Sequence, residues 1–541
     1  MSKKLRMVLA QLNLCVGDLS GNAQKIISAA ITARDTLSAD LIIFTELSLA
    51  GYPPEDWLLR DDFIEAANTM LEMIKKDIQG IHVIIGHPHP TLRGLENGCS
   101  VIHDGRVIHR YAKRCLTNYG VFDDNRYFVP GESACVFSLN GISIGVLICE
   151  DIWEDFPVLD AIQHGAQMIV VLNASQFEID KHEVRARILH RHAIMHHIPI
   201  AYVNLIGGQD QLIFDGGSMM MDASGKVTQC AGFFKEALLP VDIALKHASL
   251  HTEEAPVIIP NLHARVYQAL VLGVQDYVRK NGFSGVLIGL SGGIDSALTL
   301  AIAVDALGKE NVTTVLMPSR YTASISLEDA YALAKNLDVK HRLISIEPIF
   351  ESLLANIPSE FLGEEGGLTQ QNLQARARGI IMMALSNQLG QLVLITTNRS
   401  EMAVGYGTLY GDMAGGFAVL KDIPKTLVYS LVSYRNQLNP IIPERIITRE
   451  PTAELAHSQK DQDSLPPYPI LDDIIDQYIN QQKSIEEIIA RGFDPIVVKH
   501  IIRLIHLNEY KRYQSPMGIR INHQAFGSDY RYPITSKFRA F

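Results

Sequence analysis

Short apolar runs that end in a polar residue recur through the first half of the chain and constrain its fold most strongly. Five of them, rich in β-branched residues, are LIIFTEL (41–47), HVIIGH (82–87), SIGVLICED (143–151), QMIVVLNAS (167–175) and IAYVNL (200–205). Their length and turn-like flanks predict buried strands. Residues 21–37 and about 181–197 carry helical patterns between them. Strands that alternate with helices predict an α/β domain, with polar residues held accurately where strands end.

A second α/β series follows a break in the pattern. Its predicted elements are a helix over 263–280, a strand over 285–290, a helix near 295–307, strands over 312–318 and 392–397, and helices from about 470 to 512. The intervening stretch is polar, contains two prolines and has weak periodicity, which predicts a linker. We therefore expect a first domain over residues 1–244, a linker over 245–262 and a second domain over 263–541.

Composition excludes several classes of protein. An apolar fraction of 47% with 20% charged residues excludes a largely disordered chain. The net charge of -11 argues against a nucleic-acid-binding surface as the main function. No apolar run reaches 18 residues, so we expect no membrane span. The apolar stretch near the N-terminus is too short and too interrupted for a signal peptide, so we expect a cytoplasmic protein.

The cysteines are distributed unevenly. All six lie within the first 230 residues, and no pair has CxxC spacing, which argues against a zinc ribbon or a thioredoxin-type site. His192 and His196 have the spacing of a helical metal pair, but no HExxH motif or third ligand accompanies them, so a polar helix face is the favoured interpretation. We infer that two unlike modules are joined and that only the first can use thiol chemistry.

Three polar residues of the first module could form a thiol-based site. Glu46 and Cys149 end apolar runs, and Lys113 lies between them in sequence. A thiol nucleophile needs a base and a positive group that stabilises the thiolate and the oxyanion of a tetrahedral intermediate. Spacing alone does not select this trio, because a long chain has many such residues and most free cysteines are small buried hydrophobes.

The first 240 residues resemble the nitrilase, or carbon–nitrogen hydrolase, family. The matching segments are FTELSLAGYPPED (44–56), KRCLTNYGVFDDNRYFVPG (113–131), ICEDIWED (148–155) and LNASQFEIDKHEVR (172–185). The resemblance implies an α-β-β-α sandwich. It also implies Glu46 as general base, Lys113 as transition-state stabiliser and Cys149 as the nucleophile that forms a thioester. The other five cysteines are expected to serve packing.

The tripeptide CED, with Glu150 directly after the nucleophile, resembles the glutaminase branch of that family. The resemblance then implies that Tyr119, Ser175 and Lys181 contact glutamine. One departure is Asp124, where the family pattern has glutamate; the shorter side chain puts any catalytic assistance from this position in question.

The second module contains a phosphate-binding loop without a lysine. Its residues are Gly289, Leu290, Ser291, Gly292, Gly293, Ile294, Asp295 and Ser296. They follow a predicted strand and open a helix, where glycines and backbone N–H groups favour a phosphate. Asp295 can hold a magnesium ion that bridges phosphates. The chain has no Walker A motif.

SGGIDS resembles the PP-loop of ATP pyrophosphatases, which implies a Rossmann-like parallel sheet, ATP and Mg²⁺, and transfer of AMP to a carboxylate. Three further segments are similar to NAD synthetases: 371–387, 395–426 and 507–521. The roles that this resemblance implies are ATP contact for Thr396, deamido-NAD contact for Asn372 and Lys511, a magnesium and substrate site at Glu401 with Asp295, and a phosphate contact for Lys425. The tail, 510–541, has six basic residues against Asp529, and we expect it to supply cations for the dinucleotide phosphates.

Together the resemblances imply a glutaminase joined to an NAD synthetase. The first domain would release ammonia from glutamine, a sheltered passage would carry it, and the second would adenylate deamido-NAD and amidate it to NAD. A homo-oligomer is also implied. Two alternatives stay open: a glutamine-fed PP-loop ligase acting on another carboxylate or on RNA, and a nitrilase-type amidase whose second half only senses ATP.

Overall fold

Each apolar run of the first half forms a strand, and thirteen of the fifteen described strands of this half assemble into two stacked sheets, while the other two pair with each other in a separate two-stranded sheet. The computed structural model describes residues 3–246, 249–527 and 529–538. The strands of the first half are β1 (Lys3–Gln11), β2 (Leu41–Ile43), β3 (His82–Thr91), β4 (Gly94–His103), β5 (Arg106–Ala112), β6 (Cys135–Leu139), β7 (Ile142–Ile148), β8 (Met168–Asn173), β9 (Ile200–Asn204), β10 (Ile206–Gln209), β11 (Leu212–Asp215), β12 (Met219–Met221), β13 (Val227–Cys230), β14 (Ala237–Lys246) and β15 (Ser249–Thr252).

One sheet has seven strands in the order β15-β14-β1-β2-β3-β4-β5, and the other has six in the order β13-β12-β9-β8-β7-β6. Side chains from both sheets, such as Met7 and Ile43 from the first and Ile144 and Val170 from the second, meet in one buried cluster. Because their facing sides are apolar, the sheets stack, and β5 and β7 belong to different layers.

Helices cover the outer faces of both sheets. They are α1 (Leu19–Asp35), α2 (Asp61–Asp77), α3 (Asp155–Gln163) and α4 (Lys181–His196). Ala23 of α1 and Ile74 of α2 join the core of the seven-stranded sheet, while Val158 of α3 and Leu189 of α4 join the core that includes the six-stranded sheet. The expected α-β-β-α sandwich is confirmed.

The chain divides into two units, Met1–Asn261 and Leu262–Phe541. Part of the stretch that we expected to be a linker, 245–262, has regular structure. Strand β15 pairs antiparallel with β14 at the edge of the seven-stranded sheet. Its sequence, SLHT, is short and mostly polar, so it lacks the hydrophobic periodicity from which a strand could be predicted.

The second unit is built on a five-stranded parallel sheet. Its strands are β16 (Val286–Gly289), β17 (Val312–Leu316), β18 (Lys340–Leu343), β19 (Leu392–Ile395) and β20 (Phe417–Ala418), in the order β18-β17-β16-β19-β20. Every neighbouring pair is parallel, which confirms the Rossmann-like class. Successive strands are added on one side of β16 and then on the other, so the topological switch lies between β16 and β19. In open parallel sheets ligands bind in the crevice at that point.

The helices of the second unit surround this sheet and extend beyond it. They are α5 (Leu262–Lys280), α6 (Ile294–Leu307), α7 (Ser324–Asn336), α8 (Glu347–Asn356), α9 (Leu368–Leu389), α10 (Arg399–Val404), α11 (Lys425–Leu438), α12 (Glu444–Thr448), α13 (Tyr468–Ile475), α14 (Ile485–Ala490), α15 (Pro495–Leu507) and α16 (Glu509–Tyr513). None of the helices in the described ranges combines the length and the hydrophobicity that crossing a bilayer requires.

The segment after α16 completes the second unit. Ile519, Ile521, Phe526 and Tyr530 are buried, and burying a large apolar side chain stabilises a fold by about 1.5–3 kcal/mol. Asp422 accepts hydrogen bonds from the backbone N–H groups of Ile521 (2.8 Å) and Asn522 (2.7 Å). The C-terminal segment is thus an internal part of this unit.

Candidate active site

Cys149 lies directly after β7, where it opens a single turn of 3₁₀ helix, Cys149–Ile152. Its φ of +46° places it in the left-handed region, which costs a non-glycine residue about 1–3 kcal/mol and is concentrated at functional sites. Burial raises the pKa of the Cys149 thiol, the Glu46 carboxylate raises it further, and Lys113 opposes them. The thiol therefore keeps its proton at neutral pH and needs a base.

Glu46 and Lys113 form a buried ion pair beside this thiol. Lys113 follows β5, and its Nζ donates to Glu46 Oε1 (3.0 Å) and to Asp124 Oδ2 (2.7 Å). Burial alone would lower the pKa of Lys113, but the two carboxylates raise it well above its usual value. The ammonium is therefore permanently charged, as a stabiliser of an oxyanion must be.

Further residues hold Glu46 in place, and we did not single them out from the sequence. Asn97 Nδ2 donates to Glu46 Oε1 (2.8 Å), and the backbone N–H of Ala174 donates to Glu46 Oε2 (3.2 Å). Burial raises the pKa of Glu46, while Lys113 and Asn97 lower it. Asn97 lies in β4, GLENGCSVIH, among other polar residues, so no hydrophobic pattern distinguishes it in the sequence.

Asp124, the departure from the family pattern, contacts the site directly despite its short side chain. Its Oδ2 accepts from Lys113 Nζ and from the backbone N–H of Thr117 (3.0 Å), and Thr117 Oγ1 lies 3.2 Å from Lys113 Nζ. The aspartate therefore reaches the lysine and orients it.

Tyr119 and Lys181, two of the residues expected to contact glutamine, both lie close to Glu150. The Tyr119 hydroxyl donates to both Glu150 oxygens at 3.1 Å. The Lys181 ammonium lies 4.8 Å from the centre of the Trp153 ring. Burial raises the pKa of Glu150, and Tyr119, Lys113 and Lys181 oppose the shift. Glu150 directly follows the nucleophile and accepts from the Tyr119 phenol, while the Lys181 ammonium also lies 3.8 Å from Glu178. The Glu150 carboxylate and the Lys181 ammonium have the charges that would pair with the two ends of a free amino acid.

Ser175, the third of these residues, follows β8 and is buried. Its Oγ accepts from Arg185 Nε (3.0 Å), and its backbone N–H donates to Asn204 Oδ1 (2.9 Å). Arg185 and Asn204 thus hold Ser175 in place.

The phosphate loop leaves β16 at Gly289 and enters α6 at Ile294. Gly292 has φ +83°, and a Cβ there would lie 2.3 Å from the carbonyl oxygen of Ser326, so only glycine fits. Ser291 Oγ accepts from the Gly293 N–H (3.2 Å) and lies 3.1 Å from Ser296 Oγ. The loop is therefore shaped by its own serines, as the SGGIDS motif requires.

Thr396 directly follows β19, the neighbour of β16 on the other side of the switch point. The carboxyl ends of adjacent parallel strands meet at one edge of a sheet. Thr396 and the phosphate loop therefore border the same crevice, where a nucleotide is expected to bind.

The buried Lys425 and the partly buried Asp295 and Glu401 form a second charged cluster, in the second unit. Lys425 Nζ donates to Asp295 Oδ2 and lies 3.4 Å from Glu401 Oε1, while Asn398 Nδ2 donates to Asp295 Oδ1 (3.0 Å). Burial raises the pKa of Glu401 to about 8, Asp295 contributes to the shift, and Lys425 opposes it. Mg²⁺ in proteins is typically bound by one or two carboxylates, with substrate phosphates and water as its other ligands. The Asp295 and Glu401 carboxylates both lie beside Lys425 Nζ, so this pair of carboxylates fits a Mg²⁺ site.

Asn372 and Lys511 both contact one turn, residues 405–408. The Thr408 hydroxyl donates to Asn372 Oδ1 (2.8 Å), and Lys511 Nζ donates to the carbonyls of Gly405 (2.8 Å) and Gly407 (2.9 Å). Burial lowers the pKa of Lys511. The structure thus brings together two residues that are 139 positions apart in the sequence.

Two of the six basic residues that we expected to supply cations for phosphates pair with acidic residues inside the second unit instead. Arg512 is buried and pairs with Glu509 (2.7 Å), and Arg520 is buried and pairs with Asp529 (2.7 Å). Composition counts charges but does not reveal which of them face inward.

Comparisons with known proteins cover the whole chain. Residues 7–250 match the family model described as carbon–nitrogen hydrolase, and residues 266–515 match the one described as NAD synthase. Glutamine-dependent NAD(+) synthetases of Xylella fastidiosa and Thermotoga maritima are 46% and 44% identical to this chain, over 100% and 99% of each sequence. The solved structure of the Acinetobacter baumannii glutamine-dependent NAD+ synthetase with ADP has a TM-score of 0.80 at 43% identity and covers 98% of both chains.

Proposed function

The chain belongs to the glutamine-dependent NAD(+) synthetases, and on that premise we propose how its residues divide the reaction. It is a ligase that makes NAD from deamido-NAD with ATP and takes its nitrogen from glutamine. We assign the glutaminase step to domain 1–244 and the synthetase step to domain 263–541.

In the glutaminase step, Glu46 accepts the thiol proton of Cys149 and the sulfur attacks the side-chain amide carbon of glutamine. The carbonyl oxygen becomes an oxyanion that the Lys113 ammonium stabilises. Glu46 returns the proton to the nitrogen, the C–N bond breaks, and ammonia leaves a glutamyl thioester. Water, deprotonated by Glu46, then releases glutamate and the free thiol. Tyr119, Ser175 and Lys181 hold the amino-acid end of the substrate.

In the synthetase step, the nicotinate carboxylate of deamido-NAD attacks the α-phosphorus of ATP, and pyrophosphate leaves. Ammonia then attacks the carbonyl carbon of the adenylate, and AMP leaves as NAD forms. Mg²⁺, held by Asp295 and Glu401, would neutralise phosphate charge in this site. Residues 289–296 and Thr396 bind ATP, Lys425 neutralises the phosphate that departs, and Asn372 and Lys511 orient the dinucleotide.

The observation that carries this assignment is the buried Glu46–Lys113 pair at 3.0 Å beside the thiol of Cys149. It joins a base, a fixed positive charge and a nucleophile that still holds its proton. The test supplies deamido-NAD, ATP and glutamine and measures NAD, AMP and glutamate together. Equal amounts of the three are expected; ATP left intact while glutamate accumulates would instead favour a second half that only senses ATP.

A homo-oligomer is also part of the proposal. Ile380 and Met383 lie one turn apart on α9 and are 56% and 40% exposed, and such a face is suited to contact a second copy. Sedimentation of the wild type and of Ile380→Glu tests this, with a smaller assembly expected for the variant. Cytoplasmic localisation is proposed because ATP and deamido-NAD are intracellular compounds.

A further inference from the structure

Asp151 lies two residues after the nucleophile and is completely buried. Its Oδ1 accepts from the backbone N–H groups of Arg114 (3.0 Å) and Cys115 (2.8 Å). Its Oδ2 accepts from the Tyr111 hydroxyl (2.8 Å) and from the backbone N–H of Ile148 (3.0 Å). One side chain thus makes four hydrogen bonds, and the proposed reaction uses none of them directly.

These four donors flank two residues of the proposed trio. Tyr111 precedes Lys113 by two positions, while Arg114 and Cys115 follow it. Ile148 immediately precedes Cys149. Tyr111 lies on β5 in the seven-stranded sheet and Ile148 on β7 in the six-stranded sheet, so the carboxylate joins two layers of the sandwich.

We propose that Asp151 is a positioning residue that fixes the separation between Lys113 and Cys149. The inference rests on the proposed function, because it gives both residues their roles there. Without such a link, the relative position of the nucleophile and the oxyanion stabiliser would depend on how two separate sheets pack.

The chemistry of the side chain agrees with this role. A carboxylate only accepts hydrogen bonds and has about four lone-pair positions, and all four of its neighbours here are donors. Burial raises the pKa of Asp151, and the hydrogen bonds from Cys115, Ile148 and Tyr111 oppose that shift. An asparagine of the same shape would direct an NH₂ group at two of these donors, so at least one bond would be lost.

The expected consequence falls on turnover and leaves glutamine binding nearly unchanged. A misplacement of about 1 Å between reacting groups lowers rates about a hundredfold. Asp151→Asn should therefore lower kcat of the glutaminase about a hundredfold, with KM for glutamine changed less than about threefold. NAD synthesis from ammonium should stay at the wild-type rate.

A second readout separates positioning from a general loss of structure. The alkylation rate of Cys149 by iodoacetamide, followed by peptide mass spectrometry against pH, should move to higher pH in Asp151→Asn, because a displaced Lys113 stabilises the thiolate less. Asp160→Asn is the matched control. Asp160 pairs with the side chain of Arg114 at 2.6 Å but accepts nothing from the backbone beside Lys113, so both measurements should match the wild type.

Tyr111→Phe keeps the test decisive if Asp151→Asn does not fold. It removes one donor and leaves the carboxylate, and it should lower kcat about three- to tenfold. Wild-type kcat in either variant, or equal losses of the glutamine-driven and ammonium-driven reactions, would overturn the proposal. Cys149→Ala in the same assays separates failure of the Asp151 proposal from failure of the proposed function. If Cys149→Ala retained glutaminase activity, the proposed function itself would fail.

Discussion

Lys113 Nζ lies 3.0 Å from Glu46 Oε1, and neither side chain is exposed to solvent. Asp124 adds a second carboxylate 2.7 Å from the same ammonium. Burial raises the pKa of the Cys149 thiol most, and the neighbouring Glu46 carboxylate raises it further against the effect of Lys113. The thiol therefore holds its proton, and this proton must move to Glu46 when the sulfur attacks.

Replacing the nucleophile should separate the two activities. Cys149→Ala is expected to abolish NAD formation from glutamine and to preserve NAD formation from ammonium, because ATP activation does not involve the thiol. Initial rates with each nitrogen source measure this. Cys115→Ala is the matched control, since burial raises the pKa of that thiol to about 12 and both rates should survive. Loss of both rates in a folded Cys149→Ala would contradict the separation.

The loss of glutaminase activity at low pH should reflect the protonation of Glu46. The base must be ionised to take the thiol proton, and burial raises the pKa of its carboxyl. Activity is therefore expected to fall, as pH decreases, through a midpoint above the value of about 4.3 for a free glutamate side chain. The measurement is kcat/KM for glutamine from pH 4 to 8, by glutamate release. A midpoint at or below about 4.3 would refute the assignment.

Removing the buried cation should destabilise the first unit strongly. Lys113→Met leaves the buried carboxylates of Glu46 and Asp124 without their cation, and breaking a buried pair in this way costs about 3–5 kcal/mol. Urea unfolding followed by tryptophan fluorescence reports on this unit alone, because both tryptophans, Trp57 and Trp153, lie in it. Lys226→Met is the control: its pair with Glu254 is exposed, so the loss should be about 0–1 kcal/mol.

A methyl group in the phosphate loop should block ATP use whichever nitrogen source is given. Gly292→Ala places a Cβ 2.3 Å from the carbonyl oxygen of Ser326 at a φ of +83°, so the loop must move away from its phosphate-binding shape. Pyrophosphate release should fall at least a hundredfold with glutamine and with ammonium alike, while glutaminase activity persists. Gly308→Ala serves as the comparison, since it has a similar φ but its nearest neighbour is a flexible glutamate oxygen at 3.6 Å.

Lys511 should affect the dinucleotide more than ATP. Its ammonium is bonded to the turn that also contacts Asn372 through Thr408. Lys511→Gln is expected to raise KM for deamido-NAD about tenfold and to change KM for ATP less than twofold, which steady-state pyrophosphate release can measure. Equal increases in KM for deamido-NAD and KM for ATP would contradict a role of Lys511 in binding the dinucleotide.

The sequence predicted elements well where a repeated hydrophobic pattern exists. The strands that end near Glu46 and Cys149 follow from buried β-branched runs, and SGGIDS identifies the turn between β16 and α6. Local pattern does not reveal pairing between distant residues. Asn97 beside Glu46 and the inward-facing Arg512 depend on tertiary packing, and the edge strand β15 is too short and too polar to leave a periodic signal.

The burial of the large apolar side chains that follow α16 has a consequence for how the protein is made. The ribosome synthesises the chain from its N-terminus, so the first unit can fold before the last residues of the second unit exist. At that stage the core of the second unit still lacks Ile519, Ile521, Phe526 and Tyr530. A stop codon near position 510 would therefore yield an intact ammonia-producing half joined to an unfinished acceptor half. On the proposed division of roles, such a product is expected to hydrolyse glutamine without making NAD.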